Sequence, residues 1–291
     1  MLRSVLMASR PVSWINTAFP FAAGYLMLTR EIDAFFVVGT LFFLIPYNLL
    51  MYGINDIFDY ESDLANPRKG GIEGGLVERS EAARTHRAIL VSAIVATVVP
   101  MAWLLWAGSL WAGVTLVLVV AGVVLYSAPG ARYKERPVLD SFTSAMHFVG
   151  PLVYALVVAG DGGASRDAWV IVIAFVLWGM ASHAFGAVQD VVADRAAGIH
   201  SVATFIGARA TVWGATGAYV ASAATLLAGT LPVMLASVLP LAFAANTSRF
   251  LRVTDATCER ANRGWKTFLW LNQPVGFVVT MLLIAVWRGW L

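Results

Sequence analysis

NDIFDYESD, residues Asn55 to Asp63, closes a strongly apolar segment and places four acids in nine positions. Ionisable groups beside hydrocarbon are costly, so they are rare unless they serve a site. At about 100° per residue, Asn48, Tyr52, Asn55, Asp56, Asp59 and Asp63 fall within one stripe about 100° wide, and Glu61 points away. One face of one helix then offers three carboxylates. Such a stripe repels itself unless a cation sits among the oxygens, and hard oxygen ligands beside substrate phosphates suit magnesium. The stretch reads as a metal and diphosphate site. A solvated acidic helix end is the plainer alternative, but it gives no reason for the acids to align.

The apolar flank of this motif is typical of the whole chain. Of 291 residues, 59% are hydrophobic and 13% charged, and the mean hydropathy is +0.74, well outside the range of soluble domains. Nine apolar stretches are each about long enough to cross a 30 Å hydrocarbon core as helix. They run from Val12 to Thr29, Ala34 to Ile54, Ala88 to Gly108, Ser109 to Ala128, Val138 to Ala159, Ala168 to Val188, Ala210 to Gly229, Leu231 to Phe250 and Phe268 to Trp287. The pattern predicts an all-α, polytopic membrane protein, a single transmembrane domain over residues 1–291.

Lys and Arg sort with these spans. Alternate connections collect 17 of the 20 basic residues, leaving Arg30, Arg166 and Arg288 on the other side. Because basic residues favour the cytoplasmic side, the N-terminus and the large loops are expected to be cytoplasmic in a cell membrane. The net charge of +3 then reflects topology and lipid headgroup contact, with no call for nucleic acid. Arg3 and Arg10 precede Pro11 and no small-residue cleavage site follows, so the first span reads as retained. Cys258 has no second cysteine to pair with and reads as a spectator in a cytoplasmic loop.

Several other residues are candidates. Asn16 lies inside the first span, where its amide needs either a helix partner or a ligand. The loop NPRKGGIEGG, from Asn66 to Gly75, has four glycines and the pair Arg68 and Lys69; it could close over a phosphate or simply link two spans. The loop from Tyr126 to Pro137 carries Arg132, Lys134 and Arg136, which also serve as inside anchors. A second acidic signal, QDVVADRAAG, follows the sixth span, with Asp190 and Asp194 four residues apart. The helical count places Ala187, Gly186 and His183 on their face, and the small residues are expected to leave room beneath the carboxylates. His183 is either a hydrogen-bonded interior histidine or a base. Two acidic helix ends four spans apart suggest a pseudo-repeat facing one cavity. Pro240 and Pro274 predict kinks.

These residues resemble the UbiA superfamily of intramembrane prenyltransferases, marked by an NDxxDxxxD motif and a second DxxxD motif. Here the motifs read Asn55, Asp56, Asp59, Asp63 and Asp190, Asp194, continued by Arg195 and Gly198. Tyr126 and Lys134 are similar to the family's tyrosine and basic residue after the fourth helix, at a wider spacing. The resemblance implies nine helices around a central cavity and bound Mg2+. Within the family, SRPVSWINTAFPFAAGY, FFLIPYNLLMYGINDIFDYESDLANPRKGG and WGMASHAFGAVQDVVADRAAG resemble lycopene elongases of actinobacteria and haloarchaea. That likeness implies transfer of a dimethylallyl group from dimethylallyl diphosphate to the acyclic ends of lycopene, in contact with membrane lipid. An aromatic quinone precursor is the alternative acceptor. Trp14, Tyr47, Tyr52, Trp178 and Phe185 are candidates to face an allylic cation. The rival class is an ion-coupled transporter, but transporters hold their ions near the bilayer midplane, and these acids lie at helix ends beside basic loops.

Overall fold

A computed structural model describes residues 2–65, 79–160 and 165–291, with the side chains of Ser62, Asp63 and Ala65 outside the description. The described residues are helical, with no strand among them. The helices are α1 (Leu2–Ala8), α2 (Trp14–Thr29), α3 (Ala34–Leu44), α4 (Pro46–Phe58), α5 (Tyr60–Ala65), α6 (Arg79–Ala107), α7 (Leu110–Ser127) and α8 (Leu139–Val158). They continue as α9 (Arg166–Val188), α10 (Val191–Ala196), α11 (Val202–Ile206), α12 (Ala208–Leu226), α13 (Leu231–Leu235), α14 (Val238–Ser248) and α15 (Ala261–Trp287). The expected spans map onto α2, α3 with α4, α6, α7, α8, α9, α12, α13 with α14, and α15.

Seven of these are long and apolar enough to cross a membrane by length and composition. The other two are α2, at 16 residues, and α12, which is rich in Thr, Ser and Gly. The polar side chains of α12 have helix partners. Ser222 donates to the Ala174 carbonyl at 2.7 Å, the Ser182 and Tyr219 hydroxyls meet at 2.9 Å, and those of Thr216 and Thr247 at 2.8 Å. Hydroxyls bonded across helices this way hold membrane helices together without apolar area.

The described residues form two compact units. The first, residues 1–132 and 147–162, has a core of Phe21, Tyr25, Phe42, Phe43, Tyr47 and Tyr154. Gly39 lets α2 approach α3, because a Cβ there would overlap the Phe21 ring. The second unit, residues 133–146 and 163–291, is built on Phe185, Val212, Tyr219, Phe243, Cys258 and Phe268.

The second expected span is not one helix. Pro46 has no N–H and disrupts the ladder, so the chain breaks at Ile45 between α3 and α4. The freed carbonyls are bonded by side chains. Asn48 Nδ2 donates to the Phe43 and Leu44 carbonyls at 2.9 and 3.0 Å and to Thr17 Oγ1 at 2.6 Å, and Thr17 donates to Phe43 at 2.7 Å. Asn48 is fully buried. Expected on the ligand-facing stripe, it instead repairs the helix break, since unpaired carbonyls are costly in hydrocarbon.

The third expected span continues as helix back to Arg79, and α6 runs for 29 residues. One further expectation is corrected. Cys258 is 1% exposed and donates its thiol to the Gln189 carbonyl at 3.6 Å. It is a packed core residue, because the 3-10 turn Asp255–Arg260 folds it under the end of α9. Pro240 does accompany a break, between α13 and α14, while α15 continues through Pro274.

Candidate functional site

The first acidic motif spans a second break. α4 ends at Phe58, Asp59 takes φ −100°, ψ 0°, and α5 restarts at Tyr60. This is the sparsely populated bridge region where many active-site residues sit. The single stripe from Asn48 to Asp63 therefore does not continue past Asp59. Asp56 lies on the last turn of α4 and Asp59 is the residue that caps it, while the Asp63 side chain lies outside the described residues.

Each of the two aspartates faces an arginine. Arg10 Nη2 donates to Asp56 Oδ1 at 3.0 Å, with both side chains 17% exposed, and Arg132 lies 3.6 Å from Asp59. The Arg10 guanidinium also sits 4.6 Å from the Tyr52 ring centroid, a cation–π distance. Both arginines have left-handed backbones, φ 49° at Arg10 and φ 38° at Arg132, which is uncommon outside glycine. Asn55 Oδ1 accepts from Ser127 at 2.9 Å, joining α4 to the end of α7. Tyr126, on that same end, meets the His147 ring edge-to-face at 4.8 Å. Asn16 is exposed on α2. Arg68 and Lys69 lie outside the described residues. Glu61 pairs with Arg79 in the open, with side chains 79% and 76% exposed.

The second acidic motif sits at a break of the same kind. α9 ends at Val188, Asp190 takes φ −101°, ψ −3°, and α10 begins at Val191. Gln189 locks the break: its amide donates to the Gly186 carbonyl at 3.0 Å and accepts from Asn262 at 2.6 Å. Asp194 lies within α10, which Gly198 closes at φ 71° with the Ile199 N–H on the Asp194 carbonyl at 2.8 Å. This is the glycine end expected of a Schellman turn. The space beneath the carboxylates is not open at Gly186, where a Cβ would lie 2.9 Å from Trp265; the helical count could not see an aromatic arriving from α15.

Arg195 is used by the fold. Nε and Nη2 both donate to the Thr204 carbonyl, at 3.1 and 2.7 Å, and Nη1 to Asp255 at 2.6 Å. Asp255 in turn accepts the Ala208 N–H at 2.7 Å, and these bonds, with the backbone bond, hold its carboxyl below the usual range. Arg195 thus braces α10, α11 and α12. His183 Nε2 lies 3.8 Å from Asp140, a fully buried carboxylate that accepts from the Val202 N–H at 2.7 Å and the Ser141 N–H at 2.6 Å. Lys134 sits in a 3-10 turn, Tyr133–Glu135.

The donor set suits magnesium. Among the described residues no three His, Cys, Asp or Glu side chains gather at one point. Magnesium, however, is held by one or two carboxylates, with substrate phosphates and waters completing its shell. Asp56 on the last turn of α4 and Asp59 at its C-cap offer hard oxygen donors, and the flanking arginines offer the charge a phosphate requires. Arg10 is a member of this set that the sequence alone does not single out, although an Arg-Pro step opens the first span.

Comparison with known proteins shows where this arrangement belongs. The model of the UbiA prenyltransferase family matches residues 17–272. The chain belongs to the UbiA prenyltransferase family. Among UbiA relatives, it is 46% identical to a lycopene elongase/hydratase of Corynebacterium glutamicum over 98% of both chains. It is 49% identical, over 99% of its own length, to the C(50) beta-cyclic carotenoids biosynthesis protein LbtBC of a Dietzia species, of whose length it spans 66%. The fold is shared with a UbiA homologue of Archaeoglobus fulgidus solved with DMAPP and Mg2+, at TM-score 0.63 and 19% identity, covering 94% of this chain and 98% of that one. As a UbiA-family protein the chain is a prenyltransferase built from membrane helices.

Proposed function

We propose that this prenyltransferase uses magnesium to transfer a dimethylallyl group from dimethylallyl diphosphate to the acyclic ends of lycopene. The observation that carries the diphosphate part is the pairing of Asp56 with Arg10 and Asp59 with Arg132, which gives both signs of charge at one helix end. Full-length similarity to a lycopene elongase/hydratase supports the acceptor.

In this reading Asp56, Asp59, Asp63, Asp190 and Asp194 hold the metal. Bound magnesium would supply charge neutralisation for the departing diphosphate. Arg132, Lys134, Arg68 and Lys69 donate to the phosphate oxygens. Asn55, fixed by Ser127, presents its amide beside the acids, and the Tyr52 and Tyr126 rings face the cationic allyl group. Apolar spans keep water from that cation, so it is captured by the terminal double bond of the acceptor, and the tertiary carbocation this leaves on the acceptor is discharged by losing a proton or by adding water.

The described spans also argue against a polar acceptor. The Asn48 amide N–H groups are bonded at the α3 break, Asn246 donates to the Gly264 carbonyl at 2.8 Å, and Asp140 accepts from backbone N–H groups. Among the described residues the Oδ1 atoms of Asn48 and Asn246 stay without a partner, but as acceptors they would not hold a carboxylate. No Lys or Arg stands inside the expected spans, beyond their margins, to pair with one, and its unpaired burial is costly. The purified protein, given dimethylallyl diphosphate and magnesium, is expected to lengthen lycopene and to ignore 4-hydroxybenzoate and dihydroxynaphthoate, read by mass analysis of the products. Preference for either acid overturns the polyene acceptor. Magnesium-independent binding of an ion, with no prenylation at all, overturns the reaction.

A further inference from the structure

Arg10 is held in an unusual way. Its backbone is left-handed, φ 49°, ψ 71°, a conformation uncommon outside glycine. Pro11 follows, and proline disfavours the right-handed helical region for the residue before it. Strain of this kind persists where the surroundings over-determine it and gathers at functional sites. Two contacts fix the guanidinium: the Tyr52 ring beneath it and one hydrogen bond to Asp56.

That single bond is the informative part. A guanidinium has five N–H donors in a planar fork, and an arginine committed to a carboxylate typically gives two. Among the described residues Arg10 gives one, and its buried Nε has no partner. The side chain is only 17% exposed, so water meets few of the remaining donors. Structure and strain keep a half-used, oriented cation beside the first acidic motif.

We propose that Arg10 is a diphosphate-binding residue, its unused N–H groups donating to the oxygens of the prenyl diphosphate while Asp56 and Tyr52 hold its plane. The proposal rests on the prenyltransferase reading above and adds a ligand-binding residue from the chain segment before the first long helix.

The test is binding, apart from turnover. Full-length protein in detergent is titrated calorimetrically with inorganic diphosphate in saturating magnesium, and separately with Mn2+ alone, followed by electron paramagnetic resonance. For Arg10→Gln the diphosphate dissociation constant is expected to rise about tenfold or more, the worth of a charge-assisted hydrogen bond, with Mn2+ affinity within about threefold of the parent protein. Arg10→Lys, which keeps the charge but loses the fork, is expected to fall between them, and it carries the test alone if the Gln variant does not fold. Parent-like diphosphate affinity in the folded variants overturns the proposal. So does an equal loss of Mn2+ and diphosphate, which would make Arg10 a prop for Asp56 only. A parent protein that binds no magnesium diphosphate overturns the prenyltransferase reading itself, and this proposal with it.

Discussion

Asp59 and Asp190 share one backbone conformation, φ −100°, ψ 0° and φ −101°, ψ −3°, each at the point where a long helix stops and a six-residue helix restarts. Two acidic motifs that differ in spacing thus produce the same local break. In each, the aspartate leaves the regular helix, and its side chain is no longer bound to the direction that helical periodicity dictates.

If both motifs work on metal and diphosphate, Asp59→Ala and Asp190→Ala should each nearly abolish prenylation while the protein still inserts. Losing a metal ligand costs several kcal/mol of transition-state stabilisation. More than about a tenth of parental turnover in either variant would count against the assignment. Glu61→Ala is the control: its partner Arg79 is as exposed as itself, so turnover should hold and stability should change by less than about 1 kcal/mol.

Asn48→Ala should fail differently. The substitution removes the side-chain donor of the Leu44 carbonyl and one of the two donors of the Phe43 carbonyl, which keeps Thr17, in a fully buried setting, a loss of about 1–3 kcal/mol. The expected result is a lower thermal midpoint in detergent, with KM for diphosphate unchanged in the protein that remains folded. A raised KM at parental stability would restore Asn48 to the ligand site.

Arg195 and Asp255 should act as one unit. Asp255→Ala removes the acceptor of Arg195 and of the first N–H of α12, and a lost helix cap costs about 1 kcal/mol. Arg195→Ala should give a similar drop, and the double variant little more than either alone. An Arg195→Ala variant that loses turnover at full stability, where Asp255→Ala does not, would mean that Arg195 meets substrate.

Sidedness follows from the distribution of basic residues, 17 of 20 on alternate connections. A reporter fused near Gly74 should behave as cytoplasmic and one after Leu291 as external. The reverse outcome would put the acidic motifs on the face opposite a cytoplasmic diphosphate donor.

Much of this fold was legible because a bilayer imposes its thickness on sequence: α7, α8 and α9 begin and end within two residues of the hydropathy boundaries. The acids were legible too, since charge is conspicuous in so apolar a chain. The breaks were not. Periodicity assumes a continuous helix, and it cannot foresee that Pro46 will divert Asn48 to carbonyl repair or that Asp59 will end α4. Arg10 was missed for a related reason: its partner Asp56 is 46 residues away, and only the folded chain brings an anchor-like arginine onto the motif. Trp265 over Gly186 is the same lesson, a tertiary neighbour filling what local sequence presents as space.

The burial of Cys258, at 1% exposure, has a practical consequence. It is the one thiol in 291 residues, and under native conditions its packing shields it from maleimide reagents. A cysteine introduced at any exposed loop position would then be the reactive one, without first removing a native residue from the core. The protein as it stands is therefore a ready background for placing fluorophores or spin probes, and for reading from which side of the bilayer each becomes labelled.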